Sequence, residues 1–260
     1  MPPLPRSRTR HLAVLIDAEN ASARLIEPLL NEVAKYGTAN VKRIYGDWTT
    51  PNLGSWKNSL NKYAIHPVQQ FAYTTGKNAS DSALIIDAMD LLHSGNVDGF
   101  CIVSSDSDLT RLACRIRESG LDVYGFGEKK TPEPFVRACD RFTFVENLVQ
   151  VELDEEPFVA RQPVGAQPAQ SPAAKGSQAL GPRQVRLIRS AYDALAPEGG
   201  WVTLAALGQQ ILKLTPSFDP RTFGFLKLSA LMSSLANFSI ENRNGEHKAG
   251  DKHLYARVKI

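Results

Sequence analysis

The stretch GFCIVSSDSDLTRLACRIRESG, residues 99–120, decides how the chain folds. Its apolar run, Phe100 to Val103, has the length of a buried strand and breaks into two serines, Ser104 and Ser105. Asp106 and Asp108 follow, and from Asp108 to Ser119 the apolar residues recur at helical spacing. A strand that turns directly into an amphipathic helix is the repeating unit of a parallel α/β sheet. Polar residues at such a turn lie where α/β sheets bind ligands, beyond the carboxyl ends of the strands.

Outward from this stretch the same alternation continues. HLAVLID, VKRIYGDW, HPVQQFAY, GFCIVSS, DVYGFG and RFTFVEN read as strands, with helical segments such as Ser22 to Lys35 and Ser80 to His93 between them. The pattern predicts a mostly parallel sheet over residues 11–148, covered by helices on both faces. YGFGEKK, with two glycines, reads as a turn after the fifth strand.

The strand ends carry acids. LAVLID ends in Asp17, with Glu19 and Asn20 just behind it, and the fourth strand leads into Asp106 and Asp108, while Asp81 opens the central helix. Any one of these has a local use, because an aspartate at a helix start caps free N–H groups and suits the helix dipole. A sheet that sets its first and fourth strands side by side brings several carboxylates into one small volume. Like charges so close disfavour joint ionisation, and a hard divalent cation relieves them. The five histidines and three cysteines show no zinc spacing, and all-oxygen ligation suits Mg²⁺ or Mn²⁺. A cation held this way binds substrate through phosphate oxygens, which points to phosphodiester hydrolysis by a water nucleophile. There is no phosphate loop, no G-x-S-x-G elbow and no dinucleotide fingerprint after the first strand.

Four ordered blocks, VLIDAENAS, GKNASDSALIIDAMDLL, GFCIVSSDSDLTRLACRIRESG and VYGFGEKKTPEPFVRACDRF, resemble the NYN domain, a branch of the PIN-like ribonuclease superfamily, in its LabA-like form. The resemblance implies a Rossmann-like α/β/α nuclease whose acidic cluster binds Mg²⁺ or Mn²⁺ and cleaves RNA. By motif, Asp17, Asp81, Asp106 and Asp108 match the catalytic and metal-binding acids, and Asn20 matches the residue supporting the first acid. Leu109 stands where many members carry Phe. Asp87 belongs to the helical block as a further supporting residue, although six residues beyond Asp81 it lies on a different side of a helix. Ser104 and Ser105 either hydrogen-bond within the turn or orient a carboxylate or water; Ser105 is taken as supporting. Lys77, Lys129 and Lys130 are candidate phosphate contacts, with solvated surface positions as the alternative.

Beyond residue 148 the composition changes. EEPFVARQPVGAQPAQSPAAKGSQALGPR lacks apolar periodicity and reads as part of a linker over 149–182, as residues 1–10 read as a tail. After it, residues 183–260 carry a first helix from Arg183, a second in WVTLAALGQQILKL capped by Thr203, and a third in FDPRTFGFLKLSALMSSL capped by Asp219. Strands NFSIENR and HLYARVKI then flank a polar tip, which predicts a small winged helix. The order, and FGFLKLSALM, resemble the OST-HTH or LOTUS domain, which implies an RNA or protein partner. The segment GFLKLSALMSSLANF offers Lys227 and serines but no arginine for guanine edges, which argues against duplex DNA. Arg186, Arg243 and Lys248 are candidate phosphate contacts.

Charge agrees with that division. The chain carries +3 net, from 30 Lys and Arg against 27 Asp and Glu. From Gly181 onward 11 basic residues face 6 acidic ones, which leaves 19 against 21 for residues 1–180. The basic surplus therefore sits in the C-terminal segment, where a polyanion is favoured. No apolar stretch has the length of a membrane span, and the basic start is followed at once by Asp17 and Glu19 rather than a signal cleavage site, so a cytoplasmic protein is expected. Cys101, Cys114 and Cys139 are expected as free thiols. The resulting expectation is a metal-dependent endoribonuclease with a C-terminal RNA-binding or docking domain. The alternative is a non-catalytic RNA-binding or scaffold protein with a metal-binding NYN domain.

Overall fold

The computed structural model describes residues 9–71, 79–148, 180–196, 200–244 and 252–259. Lys77, Lys248, residues 1–8 of the expected tail, residues 149–179 of the expected linker and the tip at 245–251 lie outside the described residues. The chain divides into two compact units, 1–154 and 155–260.

The first unit is built on six strands: β1 (His11–Asp17), β2 (Thr38–Gly46), β3 (His66–Gln69), β4 (Gly99–Val103), β5 (Asp122–Gly127) and β6 (Arg141–Phe144). All pair in parallel, in the order β3-β2-β1-β4-β5-β6. Strand order therefore reverses between β1 and β4, and a crevice opens at their carboxyl ends. The helices are α1 (Ile26–Val33), α2 (Lys57–Tyr63), α3 (Ala79–Ser94), α4 (Thr110–Glu118) and α5 (Glu133–Ala138).

Alternation along β1 sorts the two layers of core. Leu12, Val14 and Ile16 pack with Ile26 and Leu29 of α1 and Trp56, whereas Ala13 and Leu15 pack with Leu84 and Ala88 of α3 and Ile116 of α4. Successive side chains on a strand point to opposite faces, so a central strand covered on both sides must be apolar throughout. The helical stretch from Pro51 to Tyr63, a 3-10 segment running into α2, was not among the expected elements. Both glycines of YGFGEKK lie within β5 rather than in a turn. A Cβ at Gly127 would stand 2.6 Å from the Ser104 carbonyl oxygen, so glycine lets β5 close against the end of β4 directly beneath the crevice.

The second unit comprises α6 (Pro182–Leu195), β7 (Val202–Thr203), α7 (Leu204–Leu214), α8 (Leu228–Ser234), β8 (Phe238–Asn244) and β9 (Lys252–Val258). Its antiparallel sheet runs β7-β9-β8. Ile188, Tyr192, Leu207, Ile211, Leu231 and Ala256 are among the side chains that form its core. Thr203 Oγ1 accepts from the Ala206 amide at 3.2 Å, as expected of a cap. The expected third helix divides in two: Asp219 caps a 3-10 turn over Pro220–Phe223, Gly224 takes φ +81°, and α8 begins only at Leu228. A left-handed glycine ends a helix, which is why one continuous apolar pattern became two elements.

Cys101, Cys114 and Cys139 are free thiols. Burial pushes the Cys101 and Cys139 thiols above their ordinary range, which makes them inert packing groups. No helix among the described residues is long and apolar enough to cross a membrane.

Candidate active site

Asp17 is the last residue of β1, and it is only 1% exposed. A buried carboxylate needs partners, and this one has three. Its Oδ1 accepts the Glu19 amide at 3.0 Å, and its Oδ2 accepts from Asn20 Nδ2 at 2.7 Å and Ser104 Oγ at 3.0 Å. The pairing of Ile16 with Val103 across β1 and β4 puts Ser104 beside Asp17, and the Ser104 amide extends the sheet by donating to the Phe126 carbonyl at 3.0 Å.

Ser104 also organises the turn. Its Oγ accepts the Asp106 amide at 3.1 Å, and Asp106 Oδ1 accepts the Asp108 amide at 2.9 Å, capping the 3-10 turn Ser107–Leu109 that leads into α4. The helix-capping use of Asp106 is thus real, and the same carboxylate acts by its charge on Asp81. Ser105 does something else: its Oγ accepts the Glu128 amide at 2.9 Å and ties the end of β4 to the end of β5. Support for the first acid comes from Asn20 and Ser104, whereas Ser105 fastens the scaffold.

Asp81, in the first turn of α3, is 6% exposed. Burial, followed by the charges of Asp17, Asp106, Asp108 and Glu19, pushes its carboxyl up to about 6. The other three sequence-identified acids therefore all act on Asp81, and Glu19 joins them. Glu19 is the residue that sequence reasoning left without an assigned place here, although DAEN marked its position, and Ser104 fills both of the places the sequence offered it, bonding within the turn and orienting a carboxylate.

Asp87 does not belong to this group. Its Oδ2 accepts from Arg43 at 2.8 Å and from the Tyr45 hydroxyl at 2.9 Å. Six residues beyond Asp81, it has rotated away around α3 and faces β2, so its supporting place is corrected to a tie between helix and sheet. Burial, then Asp87, raises the Tyr45 phenol above its ordinary range and keeps it a neutral donor.

The basic candidates divide as well. Lys129 and Lys130 follow β5 at the crevice end of the sheet and are exposed; Lys130 pairs with Glu128 at 2.8 Å. In the second unit Arg186 is exposed on α6, whereas Arg243 is held by Glu241 at 3.0 Å and lies 3.8 Å above the Trp201 ring.

The donor set suits a hard cation that keeps most of its water. Among the described residues, no group of three or more His, Cys, Asp or Glu side chains is gathered closely enough to cage an ion. Mg²⁺ and ions like it commonly bind through one or two carboxylates plus water and substrate oxygens. Asp17, with three of its roughly four lone-pair directions occupied, retains room for one such contact.

Comparison with known proteins agrees with this fold. The NYN domain matches residues 11–147, and the OST-HTH/LOTUS domain matches residues 183–249. No curated protein matches the chain. A protein of unknown function from Vibrio parahaemolyticus is 17% identical, with a TM-score of 0.45, covering 54% of this chain and 94% of its own. An uncharacterized protein from Nitrosomonas europaea is 29% identical, with a TM-score of 0.31, covering 38% of this chain and 93% of its own. Both TM-scores lie below 0.5, so the assignment rests on the matched domains: with more than half of its length inside the first of them, the chain belongs to the NYN domain family, a nuclease family.

Proposed function

We propose that this protein is a Mg²⁺- or Mn²⁺-dependent endoribonuclease whose OST-HTH/LOTUS domain binds RNA or docks a protein partner. The observation that carries the reading is the placement of Asp17 at the end of β1 and of Asp106 and Asp108 just beyond β4, where the strand order switches, with the buried Asp81 in the first turn of α3 close enough to feel their charge. A group of carboxylates that repel one another serves a cation better than it serves folding.

When bound, a divalent ion supplies positive charge to phosphate oxygens and lowers the pKa of a water nucleophile. One or two of Asp17, Asp81, Asp106 and Asp108 would hold it directly and the others through its water. Ser104 and Asn20 hold Asp17 in one orientation, so little reorganisation is needed when the ion enters. Asp81 carries its proton up to about pH 6 in the metal-free protein, so cation entry near that pH releases a proton from its carboxyl. Lys129 and Lys130, exposed at the same end of the sheet, are the side chains that would meet the RNA backbone. The basic surplus of the second domain, with Arg186 exposed, favours contact with phosphates.

The test is incubation of the full chain with structured and unstructured RNAs and DNAs in Mg²⁺, Mn²⁺ or EDTA, beside Asp106→Asn. Internal cleavage of RNA that needs the metal and is lost in the variant supports the reading. Equal cleavage by the variant, or RNA binding with no cleavage in either metal, overturns it in favour of a non-catalytic RNA-binding or scaffold protein.

A further inference from the structure

One face of the antiparallel sheet β7-β9-β8 stays outside the core of the second unit. Val202, Phe238 and Ala256 are buried in that core, and Ile240 and Val258 pack against it. Side chains alternate along a strand, so Glu241, Arg243, His253, Tyr255 and Arg257 stand on the opposite face. Trp201, just ahead of β7, joins them, because the Arg243 guanidinium lies 3.8 Å above its ring. Neither Trp201 nor Tyr255 is among the side chains that form the core.

Their arrangement follows from the register. β9 is the middle strand, and its Tyr255 pairs with Thr203 on one side and Glu241 on the other. Arg243 belongs to β8, so its guanidinium must cross the strand that carries Tyr255 to reach Trp201 beside β7. An indole, a guanidinium and a phenol thus share one stretch of sheet surface. All three are flat, and flat aromatic or guanidinium groups take a stacked nucleobase of any type. On the water-facing side of a sheet, where polar side chains are the rule, two large aromatic rings leave apolar area for something else to cover.

Charge chooses the occupant. Among the described residues, Glu241 is the one acid at these outward positions, and from Gly181 onward 11 basic residues face 6 acidic ones. Glu241 holds Arg243 through Nε at 3.0 Å, with the two side chains 52% and 43% exposed, so the pair is weak and readily exchanged. The terminal amino groups of Arg243 donate to nothing among the described residues and can meet a phosphate. An acidic peptide would answer the charge without using the planes. A duplex keeps its base faces stacked on one another, whereas a single strand offers both free base faces and phosphates.

We infer that the outer face of β7-β9-β8 binds unpaired RNA, with bases stacked on Trp201, Arg243 and Tyr255. This rests on the RNA-binding half of the proposed function and not on cleavage. The test therefore reads binding. The full chain, in EDTA to stop metal-dependent cleavage, is titrated with a dye-labelled 12-nucleotide single-stranded RNA, with the same sequence as a blunt duplex, and with an aspartate-rich peptide.

The single strand is expected to bind more tightly than the duplex. Trp201→Ala should lose about tenfold in single-strand affinity and leave duplex affinity unchanged, whereas Trp201→Phe, which keeps a flat ring, should retain most of it. Arg243→Gln, at an exposed position, should weaken single-strand binding several-fold at an unchanged melting temperature. Where the alanine variant melts lower, the ¹⁵N spectrum of the wild-type chain decides: the Trp201 indole N–H signal should shift to saturation with the single strand and hold still with the duplex. Equal affinity for strand and duplex, unchanged affinity in a folded Trp201→Ala, or a motionless indole signal overturns the inference. Tighter binding of the peptide than of the single strand also overturns it and gives the face to a protein partner. Trp201-dependent binding by a protein that cleaves no RNA in Mn²⁺ would leave the face standing and remove the endoribonuclease reading; cleavage with no effect of Trp201 on binding would do the reverse.

Discussion

Ser104 Oγ donates to Asp17 Oδ2 at 3.0 Å across the seam between β4 and β1, and accepts the Asp106 amide at 3.1 Å. One hydroxyl thereby sets two of the four acids. Ser104→Ala leaves the buried Asp17 short of a donor and the Asp106 amide short of an acceptor, which costs about 1–3 kcal/mol. The variant should melt lower and cleave RNA more slowly at saturating Mn²⁺. Ser105→Ala, which loses only the tie to Glu128, should lower the melting temperature with little change in cleavage rate.

Asp81 makes stability depend on pH in a stated direction. Its folded carboxyl, at about 6, lies above the ordinary unfolded value, so the folded state binds the extra proton. Its contribution is complete below about pH 4 and is lost as pH rises through about 6. Asp81→Asn should therefore raise the metal-free melting temperature at pH 7, by up to about 3 kcal/mol of stability, and flatten the profile between pH 4 and 6. Cleavage should vanish in the same variant. A mutant less stable than wild type at pH 7 would show that Asp81 is an ordinary helix-start acid.

The same proton links metal binding to pH. Mn²⁺ affinity, read by calorimetry, should rise from pH 5 to pH 7, with proton release that disappears in Asp81→Asn. Release of equal size in the variant would place the coupled proton elsewhere.

Asp87 supplies the contrasting case. Its pair with Arg43 is about 30% exposed on each side, so Asp87→Asn should cost on the order of 1 kcal/mol. Metal-dependent cleavage should survive at near wild-type rate. Loss of cleavage without loss of stability would return Asp87 to the site.

RNA affinity tests the second domain. Arg186→Glu, on the exposed face of α6, should weaken binding of all RNA sequences alike and reduce the slope of log affinity against log salt by about one. Unchanged RNA affinity would assign this surface to a protein partner.

Much of this molecule was legible in its sequence because the relevant signals are local. Apolar runs that end in acids, with helical periodicity between them, identify strands and their polar ends, and the residue pattern named Asp17, Asp81, Asp106 and Asp108 as neighbours, as their charges on Asp81 reflect. The cap at Thr203 was equally local, since its donor lies three residues away. What the sequence could not decide is which side of an element a residue faces once its neighbours are distant in the chain. Asp87 shares a helical block with Asp81, yet Arg43 and Tyr45, more than 40 residues earlier, claim it. Ser104 and Ser105 are adjacent and alike in type, yet alternation along the strand end sends one hydroxyl to Asp17 and the other to the amide of Glu128. Composition and periodicity name the groups; only the parallel pairing of β1 with β4 and β5 decides which of them meet, because contacts across a sheet depend on register rather than on separation along the chain.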